Sequence, residues 1–120
     1  MNDLNKMMDA IYMWSVNEKG QCVPPRVAWP SYVQERIDWV NREMKASPLS
    51  FIGALQEIFA YDEANDKRKW EWGASQDWLP VSDEFDRWRN SPSSNVKEMA
   101  IAVDLLYGTS APIDVEHDAR

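Results

Sequence analysis

The sequence is poor in the residues that most chemistry needs. Among its 120 residues there is one histidine, His117, and one cysteine, Cys22. Zinc sites need several His or Cys ligands converging, so zinc is excluded, and a single thiol leaves no internal disulfide and no dithiol redox pair. His117 lies in the closing stretch TSAPIDVEHDAR and has no serine or cysteine partner at a defined position, so a nucleophile–base pair is not expected. The four glycines are widely spaced, and neither a phosphate-cradling loop nor a dinucleotide fingerprint can be written. The DxDxDG loop of calcium sites is absent as well. Neighbouring acids such as Asp62 and Glu63, or Asp83 and Glu84, point in different directions on a helix and read as solubilising surface. No cofactor and no catalytic or metal residue is expected, and the chain is not read as an enzyme.

Long apolar runs are missing too. Nothing approaches the 18 or more uninterrupted apolar residues of a membrane span, and the opening MNDLNKMMDAIYMW carries acids where a signal peptide has a basic flank. A cytoplasmic address without membrane contact is the expectation. Positive charge is also in deficit. Twenty acids against thirteen bases give a formal charge of −7, a field that repels polyanions and attracts basic surfaces.

What is present fits one mainly helical domain, with 44% apolar and 28% charged residues. A helix is expected over Asp3 to Glu18, with Leu4, Met7, Met8, Ile11 and Trp14 on one face and Gly20 closing it. The segment QCVPPRVAWP follows as a connector. A second helix runs from a capping box at Ser31 and Gln34 to about Lys45. Its core face is Val33, Ile37, Val40 and Met44, with Trp39 roofing it; Glu35, Arg36, Asp38, Arg42 and Glu43 fill the opposite face. Ser47 and Pro48 then restart the chain into a third helix whose stripe is Ile52, Leu55 and Phe59, broadened by Phe51 and Ile58. Gly53 marks a close helix crossing there.

The stretch Tyr61 to Asn90 has the weakest period. DEANDKRKWEW fits either a continuation of the third helix, through the Glu63–Lys67 spacing, or an extended segment with Trp70 and Trp72 alternating. Ser82 caps a short helix with Asp83 and Glu84 in its first turn and Phe85 and Trp88 facing one way. A last helix starts near Asn95, with Glu98 completing a capping box, and presents Val96, Met99, Val103 and Leu106 before Gly108. The expected fold is all-α: a compact bundle of four to five helices over 1–108, with an irregular Trp-rich segment and a mobile acidic tail over 109–120.

Tryptophan is the unusual abundance. Of seven, Trp70, Trp72, Trp78 and Trp88 crowd into the segment of weakest period, with Lys67, Arg68 and Lys69 before the first and Arg87 and Arg89 bracketing the last. In one reading these indoles fill the core from irregular chain. In the other, some stand exposed as anchors, since Trp and Arg are enriched at interface hot spots. The second reading makes the chain a protein-binding adaptor or inhibitor of a target with a basic surface. Mobile-element accessory proteins that block a host's nucleic-acid-binding clefts are of this kind. Its partner-binding residues would be Asp62, Glu63, Asp66, Arg68, Trp70, Glu71, Trp72, Asp77, Trp78, Asp83, Glu84, Asp86, Arg87, Trp88 and Arg89. Two alternatives compete. One is a nucleic-acid-binding regulator using the local Lys/Arg/Trp patch. The other is a homo-oligomeric assembly protein docking through Met7, Met8 and Met13.

Overall fold

In the computed structural model, residues 15–16, 18–23 and 27–108 are described. The described residues are all-α, with five helices and one pair of two-residue strands. The expected Met-rich face of the first helix and the tail over 109–120 lie outside the described residues. The chain divides into two units, one formed by 1–30 with 92–120 and the other by Ser31–Ser91.

The larger described unit holds α1 (Ser31–Ala46), α2 (Phe51–Phe59), α3 (Glu63–Gly73) and α4 (Asp83–Asn90). Helix α1 keeps close to its expected limits and buries Val33, Ile37, Val40 and Trp39 as the period requires. Its supposedly polar face is different. Arg36 and Glu43 are each only 1% exposed, so two charges assigned to solvent are interior groups.

Ser50 opens α2, its side-chain oxygen accepting from the Gly53 amide at 3.0 Å. That cap also explains Gly53. A Cβ there would sit 3.1 Å from Ser50 Oγ and 3.2 Å from Leu49 Cδ1, so the glycine makes room for its own cap and the preceding loop, not for a crossing helix. The buried face of α2 is Ala54, Glu57, Ile58 and Phe59, and Ile52, expected on the core stripe, is 68% exposed.

The stretch Glu63–Gly73 is helical, as one of the two readings expects, but as a separate helix and not as a continuation of α2. Ala60 adopts a left-handed conformation (φ 47°) and ends α2, and Asp62 then caps a separate helix, accepting from the Asn65 amide at 3.3 Å. Ser82 caps α4 as expected, through Phe85 N at 3.1 Å.

In the other unit, β1 (Ser15–Val16) pairs antiparallel with β2 (Cys22–Val23), Ser15 opposite Val23. These residues replace the end of the expected first helix. Gly20 does take the left-handed conformation (φ 78°), but in the turn between the strands, not at a helix end. Helix α5 (Ser94–Tyr107) follows Ser93, includes Asn95 in its first turn and ends on left-handed Gly108. Its buried face is Lys97, Ala100, Ile101 and Asp104, rotated from the expected one, so that Met99 and Leu106 are exposed. The Trp29 indole donates to Asp104 Oδ2 at 2.6 Å, which gives that buried carboxylate its place on the inner face.

Candidate functional site: an indole spared from the core

The unit Ser31–Ser91 is organised around the carboxyl end of α2. A helix leaves its last carbonyls without intrahelical donors and carries partial negative charge there. Two buried guanidiniums meet that end. Arg36 donates from Nη2 to Glu57 O (2.9 Å) and from Nε to Ile58 O (2.7 Å), while Nη1 reaches Leu79 O (2.6 Å). Arg89 donates from Nη1 to Phe59 O (2.6 Å) and Ala60 O (2.7 Å), and from Nη2 to Asp86 Oδ1.

The Phe85 ring lies between the two cations, 5.1 Å from the Arg36 carbon and 5.9 Å from that of Arg89. Burial lowers the Arg36 pKa to about 10, which leaves it protonated at neutral pH. The Glu63 charge opposes that effect.

The indoles tie down the irregular chain that follows α3. Trp39 Nε1 donates to Asp77 O (3.0 Å), Trp70 Nε1 to Gln76 O (2.7 Å) and Trp78 Nε1 to Glu63 Oε2 (2.9 Å). The three rings also meet one another, Trp39 and Trp70 with centroids 4.1 Å apart and Trp78 edge-on to Trp39 at 5.2 Å.

Two carboxylates finish the loop. Glu43 accepts from Ser75 N and Ser75 Oγ, both at 2.8 Å, and from Gln76 Nε2 at 3.2 Å; Glu63 accepts from Val81 N at 2.9 Å. Burial would raise the Glu43 pKa, but the hydrogen bonds from Ser75 and Gln76 outweigh it and hold the group below the usual carboxylate range. Glu63 is lowered the same way: its burial is overcome by Trp78, Val81 and the charges of Arg36 and Arg89.

The fifteen expected partner-binding residues therefore separate into two sets. Asp66, Trp70, Trp78 and Arg89 are buried, Glu63 and Trp88 are half-buried, and these six serve the interior. Trp88 stacks on Phe59 with centroids 6.4 Å apart. Asp62, Arg68, Glu71, Trp72, Asp77, Asp83, Glu84, Asp86 and Arg87 are exposed.

Among the exposed set Trp72 stands out at 90% exposure, where Trp70, two residues earlier on the same helix, has 3%. Two steps of 100° turn a helix by more than half a circle, so one indole faces in and the other out. Arg68 and Lys69, both exposed, precede Trp72 by four and three residues and are its neighbours on the outer face. Arg68 Nη2 is held by Asn65 Oδ1 at 3.0 Å.

Arg36, Glu43 and Glu57 are the residues that the sequence reading missed. For Glu57 a signal exists: it is the sole charge in the apolar stretch FIGALQEIF, on the same side as Ala54 and Ile58. Among the described residues no group of His, Cys, Asp and Glu could hold a metal ion, and no helix is long and apolar enough to cross a membrane. Comparison with protein-family models, with curated proteins and with solved structures returned no match.

Proposed function

We propose that this chain is a protein-binding adaptor or inhibitor that works by occupying a partner's surface, with Trp72 as its anchor and the exposed acids steering it toward a basic target. The supporting observation is the 90% exposure of Trp72 in a unit whose other indoles are buried or half-buried. An indole offers roughly 200 Å² of surface, worth on the order of 5 kcal/mol when removed from water, and α3 leaves that unused within its own unit. Hot-spot residues of this type, ringed by charge, are what a protein interface engages. Asp62, Glu71, Asp77, Asp83, Glu84 and Asp86 supply an exposed acidic surface, which raises the association rate with a basic partner and loses that effect in salt. Nothing in this reading requires turnover.

A photo-crosslinking residue placed at position 72 tests it. The expected result is a discrete cross-linked partner from host lysate that is absent when the same residue replaces Lys45, an exposed position at the end of α1. Equal labelling from both positions would refute the anchor role.

The alternative of nucleic-acid binding is favoured by one specific feature, the placement of Arg68 and Lys69 beside the exposed indole, which suits a stacked base and its phosphates. It predicts single-strand binding at low ionic strength that weakens steeply with salt. Failure to bind an oligonucleotide at low salt removes it.

A further inference from the structure

A cleft of about 210 Å³ opens between the loop after α1 and helices α2 and α3, walled by Pro48, Leu49, Trp70 and Gly73. Glu43, Glu57 and Lys69 also line it. The Glu43 carboxylate is already engaged by Ser75 and Gln76. Glu57 is different. It is only 6% exposed, and its Oε1 is buried without a hydrogen-bond partner. A carboxylate oxygen left in this state is costly, and a native fold ordinarily supplies a donor.

The surroundings of Glu57 leave it less acidic than an ordinary carboxyl. Burial first, and then the Asp66 charge, raise its pKa to about 7, and Lys69 and Arg36 offset only part of this. The apolar walls are suited to an aliphatic stem, and the Glu57 carboxyl at the cleft lining, one of its oxygens buried and unpartnered, is suited to a cationic head.

We propose that this cleft receives a cationic side chain of a partner protein, the ammonium of a lysine or the guanidinium of an arginine, with Glu57 as its counter-ion. The inference deepens the protein-binding reading above, whose target carries a basic surface, and it assigns the ligand chemistry of a specific position. A long cationic side chain places its methylenes against Pro48, Leu49 and Trp70 while its head reaches the carboxylate. Binding a cation favours the ionised form of Glu57, so protonation and ligand compete.

Two probes that need no knowledge of the partner, n-butylammonium and n-butylguanidinium, test the cleft on the full chain by NMR. The signals followed are the Glu57 side-chain carboxyl and the Trp70 indole N–H. The expected result is saturable shifts in both signals, a Glu57 midpoint that falls by about one pH unit or more at saturation, and at least tenfold weaker binding in Glu57→Gln. Shifts no larger than those from sodium chloride at equal ionic strength would overturn the proposal.

Capture of partner from lysate then separates the side chain of a protein from a free amine. At least tenfold less partner with Glu57→Gln supports a protein-borne cation, and undiminished capture overturns it while leaving the Trp72 reading standing. Conversely, probe binding together with undiminished capture by Trp72→Ala would sink the anchor role and keep the cleft.

Discussion

The two buried guanidiniums of the unit Ser31–Ser91 are explained by the carbonyls they donate to. Arg36 and Arg89 together satisfy the carbonyls of Glu57, Ile58, Phe59 and Ala60, four consecutive groups that an isolated helix would present to water. Replacing Arg36 with Met keeps the volume and removes the donors, so several buried carbonyls lose their partners at roughly 1–3 kcal/mol each. Urea unfolding of Arg36→Met is expected to show a loss of at least about 3 kcal/mol. Arg36→Lys should recover only part of it, because an ammonium cannot reproduce the planar fork.

Glu57 is the opposite case, a carboxyl that the fold makes less acidic. A raised folded pKa means that the folded state holds a proton the unfolded chain has released between the ordinary carboxylate pKa and about 7. Stability then falls as pH rises through that window and levels off above it. Glu57→Gln should flatten this slope and be more stable than the parent by about 1–3 kcal/mol at pH 8, as read from denaturant midpoints at several pH values.

At the scale of elements, an irregular loop is ordered by side chains reaching it from the neighbouring helices. Residues 74–82 have no helical period, yet two indoles from outside the loop, Trp39 and Trp70, together with Glu43 and Glu63, bond to it at Ser75, Gln76, Asp77, Trp78 and Val81. Glu43 has a lowered pKa, so its contribution is present above the ordinary carboxylate range and is lost as pH falls through the folded value. Glu43→Gln keeps the shape but weakens the charge-assisted acceptance from Ser75. Amide exchange at Ser75 is expected to speed up at least tenfold while the amides in the middle of α1 change little.

The same elements show what was legible in the sequence. Helices α1 and α4 were readable because apolar spacing and Ser82 carry the signal locally. On α2 the expected Ile58 and Phe59 are buried but Ile52 is exposed, and the buried side of α5 is rotated from the expected one, for a different reason. Both turn a titratable residue inward, Glu57 in one and Lys97 with Asp104 in the other, and a hydrophobic period counts these as solvent-facing. The break at Ala60 carried no glycine or proline to announce it. In the candidate site the cluster of four indoles was visible, but separating Trp72 from Trp70 requires knowing that α3 is helical, and its sequence leaves that undecided.

On the scale of the whole molecule, the described residues divide their tryptophans by duty. Trp29 holds Asp104 in one unit, while Trp39, Trp70 and Trp78 hold the loop of the other, and Trp72 holds nothing that a hydrogen bond or ring contact records. Among the described tryptophans Trp72 alone leaves most of its indole in water, on a chain of formal net charge −7, and the proposed anchor role rests on that pairing.

The most direct measurement compares Trp72→Ala with the parent chain in two ways: thermal unfolding, and quantitative affinity capture from lysate. The anchor role predicts a stability within about 0.5 kcal/mol of the parent and at least a tenfold drop in captured partner. Loss of folding stability of several kcal/mol, or capture at the parent's level, would contradict it.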